Sequence, residues 1–456
     1  MESVGRRRFL AASAAAGAWA AVPWRARSQA SLALPSPRQI AWQRDRLAMF
    51  LHFGINTFTG REWGDGSESP ALFKPAALDA RQWAATARGN GFKAMILTAK
   101  HHDGFCLWPS RLTTHTVASS PWRGGKGDVV REFVDACRAA GLGAGLYLSP
   151  WDRHEPSYGD SARYNDFYCA QLAELLTNYG PLQEVWFDGA NGEGPNGKHQ
   201  VYDWPRIWGT VRRLQPNALI FSDAGPDLRW IGNERGFAGD PDWCAVDPAV
   251  VPQPGVGGAA VTAMLQHGDP QGAVWRPGEA DVSLRPGWFY HAAEDARLKS
   301  VDELIAIYFN SVGRNAKLLL NVPPAPTGLI AHADANRLAE FRDRLDSLLG
   351  GGAQGGFWQW TQTGARQIVG AVQFPGTMRV LVVELREQVE HGQRVSRFGV
   401  EAQGEDGSWS AIAAGTTLGV LRLERLPAPV GARRLRVTLS SEFAQPLPAA
   451  CSVHFN

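Results

Sequence analysis

The chain has 456 residues, more than one ordinary hydrophobic core accommodates, so two domains are expected. Apolar residues make up 44% and charged residues 20%, which is enough to bury a large core and argues against disorder. The formal charge is only +2 and no apolar run approaches the roughly 20 residues of a membrane-spanning helix, so nucleic acid and membrane insertion are both excluded as expectations.

The N-terminus reads as an address. Residues 5–10 are Gly-Arg-Arg-Arg-Phe-Leu, an Ala-rich apolar stretch runs to Pro23, and Ser28-Gln29-Ala30 supplies a small-residue end. Paired Arg followed by x-Phe-Leu resembles a twin-arginine export signal, with Gly5 where a hydroxyl residue is usual. Export to the periplasm or beyond is therefore expected, with residues 1–30 removed and the mature chain starting near Ser31. That removal takes away five Arg and one Glu and turns the net charge from +2 to about −2. Cys106, Cys137, Cys169, Cys244 and Cys451 are odd in number and lack C-x-x-C spacing, which argues against a disulfide framework and a zinc site.

Beyond the signal, buried-type strands are expected at 49–55, 94–100, 143–149, 184–189, 218–223 and 317–322, with weaker runs at 243–247 and 280–285. Helical patterns lie near 79–90, 127–140, 162–179, 203–214, 301–311 and 330–348. Eight continuous apolar strands alternating with helices predict a (β/α)8 TIM-like barrel over residues 31–349. No G-x-G-x-x-G follows the first strand, which weakens a dinucleotide-binding reading. Glycines 350–352, 355 and 356 mark a break. Short alternating runs at 367–373, 378–385, 396–403, 408–413, 418–424, 433–439 and 450–455 then predict an antiparallel β-sandwich over 350–456.

In such a barrel, chemistry belongs at the C-terminal ends of the strands. His52 with Asn56 and Arg61-Glu62-Trp63, Lys100-His101-His102-Asp103, Tyr147 with Trp151-Asp152, Trp186-Phe187-Asp188, and Ser222-Asp223 all fall there; Arg229-Trp230 and Asn233-Glu234 follow in the next loop. Each has a plainer explanation. A lone His52 fits a hydrogen-bonded core residue, Asp188 fits a helix N-cap, and alternation turns only one of His101 and His102 inward. No H-x-H or H-E-x-x-H spacing supports a metal. The argument for function is that five successive strand ends are polar and face one mouth. Two carboxylates on separate strand ends, among His and an unusual 18 Trp, suit retaining glycoside hydrolysis. One carboxylate must stay ionised to attack the anomeric carbon, and the other must stay protonated to assist the leaving group.

From about Trp42 to the C-terminus the chain resembles glycoside hydrolase family 29, the α-L-fucosidases. The resemblance rests on FLHFGINTFTGREWG (50–64), ILTAKHHDGFCLWPS (96–110), YLSPWDRH (147–154), EVWFDGANGEGPNG (184–197), RWIGNERGFAG (229–239) and RPGWFYH (285–291). LLLNVPP (318–324) and VELREQVEHGQRV (383–395) add to it. It implies a retaining mechanism with Asp188 as nucleophile and Glu234 as acid/base, Glu193 and Glu279 competing for the second role. It implies a fucose site of His52, His101, His102, Tyr147 and Trp186, joined by Glu62, Trp63 and Arg229, with no metal or organic cofactor. The GPNG and RWIGNE stretches resemble the subfamily preferring α-1,3/1,4 linkages on branched, fucosylated oligosaccharides. Two other readings stay open: an α-L-galactosidase differing by one pocket residue, and a non-catalytic glycan-binding barrel, against which both carboxylates speak.

Overall fold

A computed structural model describes residues 32–350 and 358–455; the segment expected to be an export signal lies outside the described residues. The first part alternates strands and helices. In chain order these are α1 (Pro37–Arg44), β1 (Leu47–Leu51), α2 (Asn56–Thr59), α3 (Ala80–Gly89), β2 (Ala94–Lys100), α4 (Val129–Ala140), β3 (Gly143–Leu148), α5 (Ser161–Asn178), β4 (Glu184–Trp186), α6 (Trp204–Leu214) and β5 (Leu219–Phe221). There follow β6 (Arg229–Trp230), β7 (Ala245–Val246), α7 (Ala259–His267), β8 (Val274–Trp275), β9 (Gly278–Ser283), α8 (Val301–Asn310), β10 (Lys317–Asn321) and α9 (His332–Leu349).

Local chemistry explains these boundaries. Helix α4 starts at Asp128, whose side chain accepts from the Arg131 amide, and stops at Gly141, which takes φ 67°. Helix α8 begins with a capping box of Ser300 and Glu303. Strand β2, AMILTAK, is buried along its whole length, as a parallel strand covered on both faces must be.

Eight strands pair in the order β5-β4-β3-β2-β1-β10-β9-β6, all parallel. A single parallel bridge between Phe221 and Leu228 joins the two ends, so the sheet closes as a barrel. The expected fold class holds, with one correction in strand assignment. The run at 243–247 is not a barrel strand: Ala245–Val246 pairs antiparallel with Val274–Trp275 outside the ring. Its place is taken by β6, in a stretch the sequence pattern assigns to a loop. The apolar character of 243–247 has another cause, because Cys244 packs with Ile40, Trp275, Val389 and Val420.

Inside the barrel, Trp42, Phe50, Ile96, Tyr147, Trp186, Phe221 and Leu319 form one core, and a second core lies between the strands and the surrounding helices. Beyond residue 358 lie β11 (Gln359–Gly364), β12 (Gln367–Leu385), β13 (Arg397–Gln403), β14 (Trp409–Gly415), β15 (Arg422–Ser440) and β16 (Ser452–Phe455). They pair antiparallel in the order β11-β12-β15-β13-β14, with β16 on β12. The two 19-residue strands β12 and β15 each join what the pattern separates into two strands, through register shifts near Gln373/Met378 and Val380/Val382. Both halves contribute to one sandwich core of Val372, Val383, Val400, Leu435, Val437 and Val453. All five cysteines are buried and unbridged. Among the described residues, no helix is long and apolar enough to cross a membrane.

Candidate active site

The C-terminal ends of the barrel strands surround a cavity of about 500 Å³. Nine of the ten expected site residues line it: His52, Glu62, Trp63, His101, His102, Tyr147, Trp186, Asp188 and Glu234. The tenth, Arg229, does not. It is buried on the outer side of β6, where Nε donates to the Leu265 carbonyl at 2.9 Å, Nη1 to the Arg276 carbonyl at 2.5 Å, and Nη2 pairs with Asp242. Successive residues of a strand point to opposite sides, so Trp230 takes the inward position and Arg229 the outward one.

His52 and His102 are neutral and held in defined tautomers. Asn321, at the end of β10, donates from Nδ2 to Ser283 Oγ and to the Trp288 carbonyl, so its Oδ1 is the atom 2.8 Å from His52 Nδ1. His52 Nδ1 therefore carries the proton and Nε2 is left as an acceptor. His102 follows the same logic: Ser149 Oγ donates to the Trp151 carbonyl and accepts from His102 Nδ1 at 2.7 Å. Burial pulls both imidazoles down to about 3. His101 is likewise held well below the usual imidazole range by burial and by its two His neighbours. The strand alternation expected for His101 and His102 fails because β2 ends at Lys100. Both rings, 4.1 Å apart, reach the cavity from the turn that follows.

Asp188 stands two residues beyond β4. Its Oδ1 accepts from the Ala190 amide at 2.7 Å and its Oδ2 from Tyr147 hydroxyl at 3.2 Å. Burial raises its pKa, and these two hydrogen bonds oppose the rise. Glu234 lies at the exposed rim, yet burial of its carboxyl by the cavity wall and then the Asp188 charge raise it as well. Trp186 forms the floor, stacked on Phe221 at 4.2 Å, with Nε1 donating to Glu279 Oε2 at 3.0 Å. Trp63 projects at the mouth, 59% exposed, edge-on to His102 and Trp151. Glu62 faces the cavity, but its oxygens already accept from the amides of Trp288 and Phe289 and contact His291 Nε2 at 3.0 Å. It thereby holds the strap that carries Trp288. Of the competing acids, Glu279 is fully buried beneath the floor and Glu193 is exposed on a loop; neither lines the cavity.

Trp230, Asp281, Trp288 and Asp223 complete the walls. Sequence reasoning places Asp223 and Trp230 in the polar clusters at the strand ends without a specific role, and does not single out Asp281 or Trp288. Trp230 Nε1 donates to Asp281 Oδ1 at 2.7 Å, and Asp223 Oδ2 accepts from the Gly255 amide at 3.0 Å. Asp281 was reachable in principle, since alternation along 280–285 places it opposite Ala280 and Val282. Altogether five carboxyl groups, three neutral imidazoles and no Lys or Arg line the cavity. Such walls offer hydrogen bonds to a neutral, hydroxyl-rich ligand, favour positive charge developing on it, and repel an anion.

The family model described as alpha-L-fucosidase matches residues 25–346. The chain is 43% identical to alpha-L-fucosidase 1 of Arabidopsis thaliana over 444 residues, covering 91% of this chain and 86% of that one. It superposes on the crystal structure of a glycoside hydrolase 29 family member from an unknown rumen bacterium with TM-score 0.85 and 38% identity, over 93% and 78% of the two chains. For a Ruminococcus gnavus family 29 fucosidase in complex with fucose, the TM-score is 0.84 and the identity 31%, over 95% and 97%. This chain belongs to the α-L-fucosidases, glycoside hydrolase family 29.

Proposed function

We propose that the protein is an exported, retaining exo-α-L-fucosidase, with Asp188 as nucleophile and Glu234 as acid/base. The observation that carries this reading is the pair of carboxyls in unlike settings at one cavity without Lys or Arg: one buried and hydrogen-bonded by Tyr147 and the Ala190 amide, the other at the rim with its proton held by burial and by its partner's charge. The substrate is a fucosylated glycan, and the GPNG and RWIGNE stretches support branched α-1,3/1,4-linked oligosaccharides. The fucose-bound Ruminococcus gnavus relative supports L-fucose as the sugar.

The fucosyl ring sits on Trp186, with its hydroxyls donating to the Nε2 atoms of His52 and His102. Asp188 attacks C1 while Glu234 gives its proton to the departing oxygen, forming a covalent fucosyl-enzyme. The Asp188 carboxylate, in a wall without Lys or Arg, stabilises the positive charge that develops between C1 and the ring oxygen. Water, deprotonated by Glu234, then attacks C1 from the opposite side and releases fucose with its α configuration retained.

The test is turnover of 4-nitrophenyl α-L-fucoside beside the α-L-galactoside, with the first-formed anomer read by proton NMR. Release of α-L-fucose supports the reading. Release of β-L-fucose overturns retention, a preference for the galactoside overturns the sugar assignment, and no turnover of either overturns the activity.

A further inference from the structure

The loop that carries Glu234 has both of its ends tied together, and one end is fastened to the sandwich. At its start, β6 is anchored through Arg229; at its end, Asp242 accepts from that same guanidinium. Arg229 and Asp242 are each 1% exposed, so the clasp is shut off from water at the base of a loop running through residues 230–241.

The sandwich grips the far end. The Asp242 amide donates to Thr417 Oγ1 at 3.0 Å, Gln393 Nε2 donates to the Asp242 carbonyl at 2.8 Å, and the Cys244 amide donates to Gln393 Oε1 at 2.8 Å. Two residues earlier, Asp240 pairs with the Arg422 guanidinium at 2.9 and 3.1 Å and accepts from Thr416. Gln393 is 4% exposed and Thr417 2%, so their bonds to Asp242 and Cys244 are shut off from water, while Arg422, 5% exposed, reaches outward to a partly exposed Asp240. Asp188 has no such support: it follows directly on β4, which is paired on both sides within the barrel.

We propose that the sandwich is part of the catalytic apparatus, with Thr417 and Gln393 acting as positioning residues for Glu234 through Asp242 and Arg229. The inference rests on the acid/base assignment made above. A general acid displaced by about 1 Å loses much of its effect, whereas the nucleophile on its own strand stays in place. Loosening the sandwich grip should therefore slow the step that needs Glu234's proton and spare the step that needs only Asp188.

The experiment compares Thr417→Val/Gln393→Leu with the wild type and with Glu234→Ala, on an aryl fucoside and on a fucosyl oligosaccharide whose leaving alcohol needs a proton. In the double variant, kcat/KM for the oligosaccharide should fall at least tenfold further than for the aryl fucoside, mainly in kcat. The alkaline limb of the pH profile should shift. Equal losses on both substrates, or a lowered melting temperature with the substrate ratio unchanged, overturn the proposal. If Glu234→Ala itself shows no leaving-group dependence, the acid/base assignment fails instead. Should the double variant not fold, Gln393→Glu keeps an acceptor for Cys244 and sets an oxygen in place of the donor to the Asp242 carbonyl; a shifted substrate ratio then supports the proposal and an unchanged one overturns it.

Discussion

Arg229 gives the sharpest separation between a residue that binds sugar and one that supports the wall. Replacing it with Met removes the partner of a buried carboxylate and leaves the Leu265 and Arg276 carbonyls without their donors. Breaking one side of a buried ion pair costs about 3–5 kcal/mol, because the other charge remains in the interior. The unfolding entropy of roughly 2.1 cal/mol/K per residue, summed over Leu32–Asn456, gives about 0.9 kcal/mol/K, so the melting temperature should drop by about 3–6 °C. Burial already raises Asp242 to about 6 with Arg229 beside it, and losing the cation raises it further. A folded-state pKa above the unfolded value means that stability is lost as pH rises through it. The deficit should therefore be small at pH 5, where the carboxyl is protonated in both proteins, and larger at pH 8. Arg229→Met/Asp242→Leu should recover most of the loss, since a buried pair exchanged for apolar groups of similar volume is close to neutral. A charged contact to substrate would instead be worth about 1.5–3 kcal/mol, roughly 10- to 150-fold in kcat/KM. Calorimetry at the two pH values and the KM for an aryl fucoside decide the matter. An unchanged melting temperature with KM raised tenfold would refute this account and return Arg229 to the sugar site.

Two further outcomes follow from the site and one from the N-terminal sequence. Asp188→Ala should lose several orders of magnitude in kcat and regain part of it with azide, giving a product of inverted configuration; more than about a tenth of the activity remaining would end the assignment. Because Asp188 must be ionised and Glu234 protonated, and both pKa values are raised, kcat/KM should climb as pH passes the first and decline as it passes the second. His52 and His102 stay neutral across this range, so an alkaline limb that persists in Glu234→Gln would mean another acid. Replacing Arg6 and Arg7 with Lys should leave the precursor in the cytoplasm, and fractionation showing unchanged export would point to the general secretory route.

The long elements were readable because each has a long record in the chain. Helices such as 161–178 run for five turns, and strands such as AMILTAK are apolar from Ala94 to Leu97 and buried throughout. The misplaced strand shows where that record ends. Strand β6 is two residues long, too short to carry a period, while 243–247 is apolar because it is buried against Ile40, Val389 and Val420 rather than in the ring. The site was legible where a polar residue directly follows an apolar strand, as Asp188 does. It was not legible where orientation depends on where the strand ends, as for His101 and His102. Arg229 was expected at the fucose site because it falls in the RWIGNERGFAG segment of the resemblance, whereas its direction depends on a strand the pattern does not reveal.

The two halves of the mouth are built to different tolerances. From β1 to β5 every strand is laddered to its neighbours, but between β5 and β6 the ring is held by one bridge, Phe221 to Leu228, and some fifty residues intervene before β9. Insertions or deletions in that interval would leave the register of β1 to β5 untouched. Such a barrel can exchange the loop that meets the departing group, and with it the glycans it accepts, while the attacking carboxylate keeps its address. Divergence among relatives should then concentrate on one side of the rim, and a designer seeking a new linkage preference would recut that side alone.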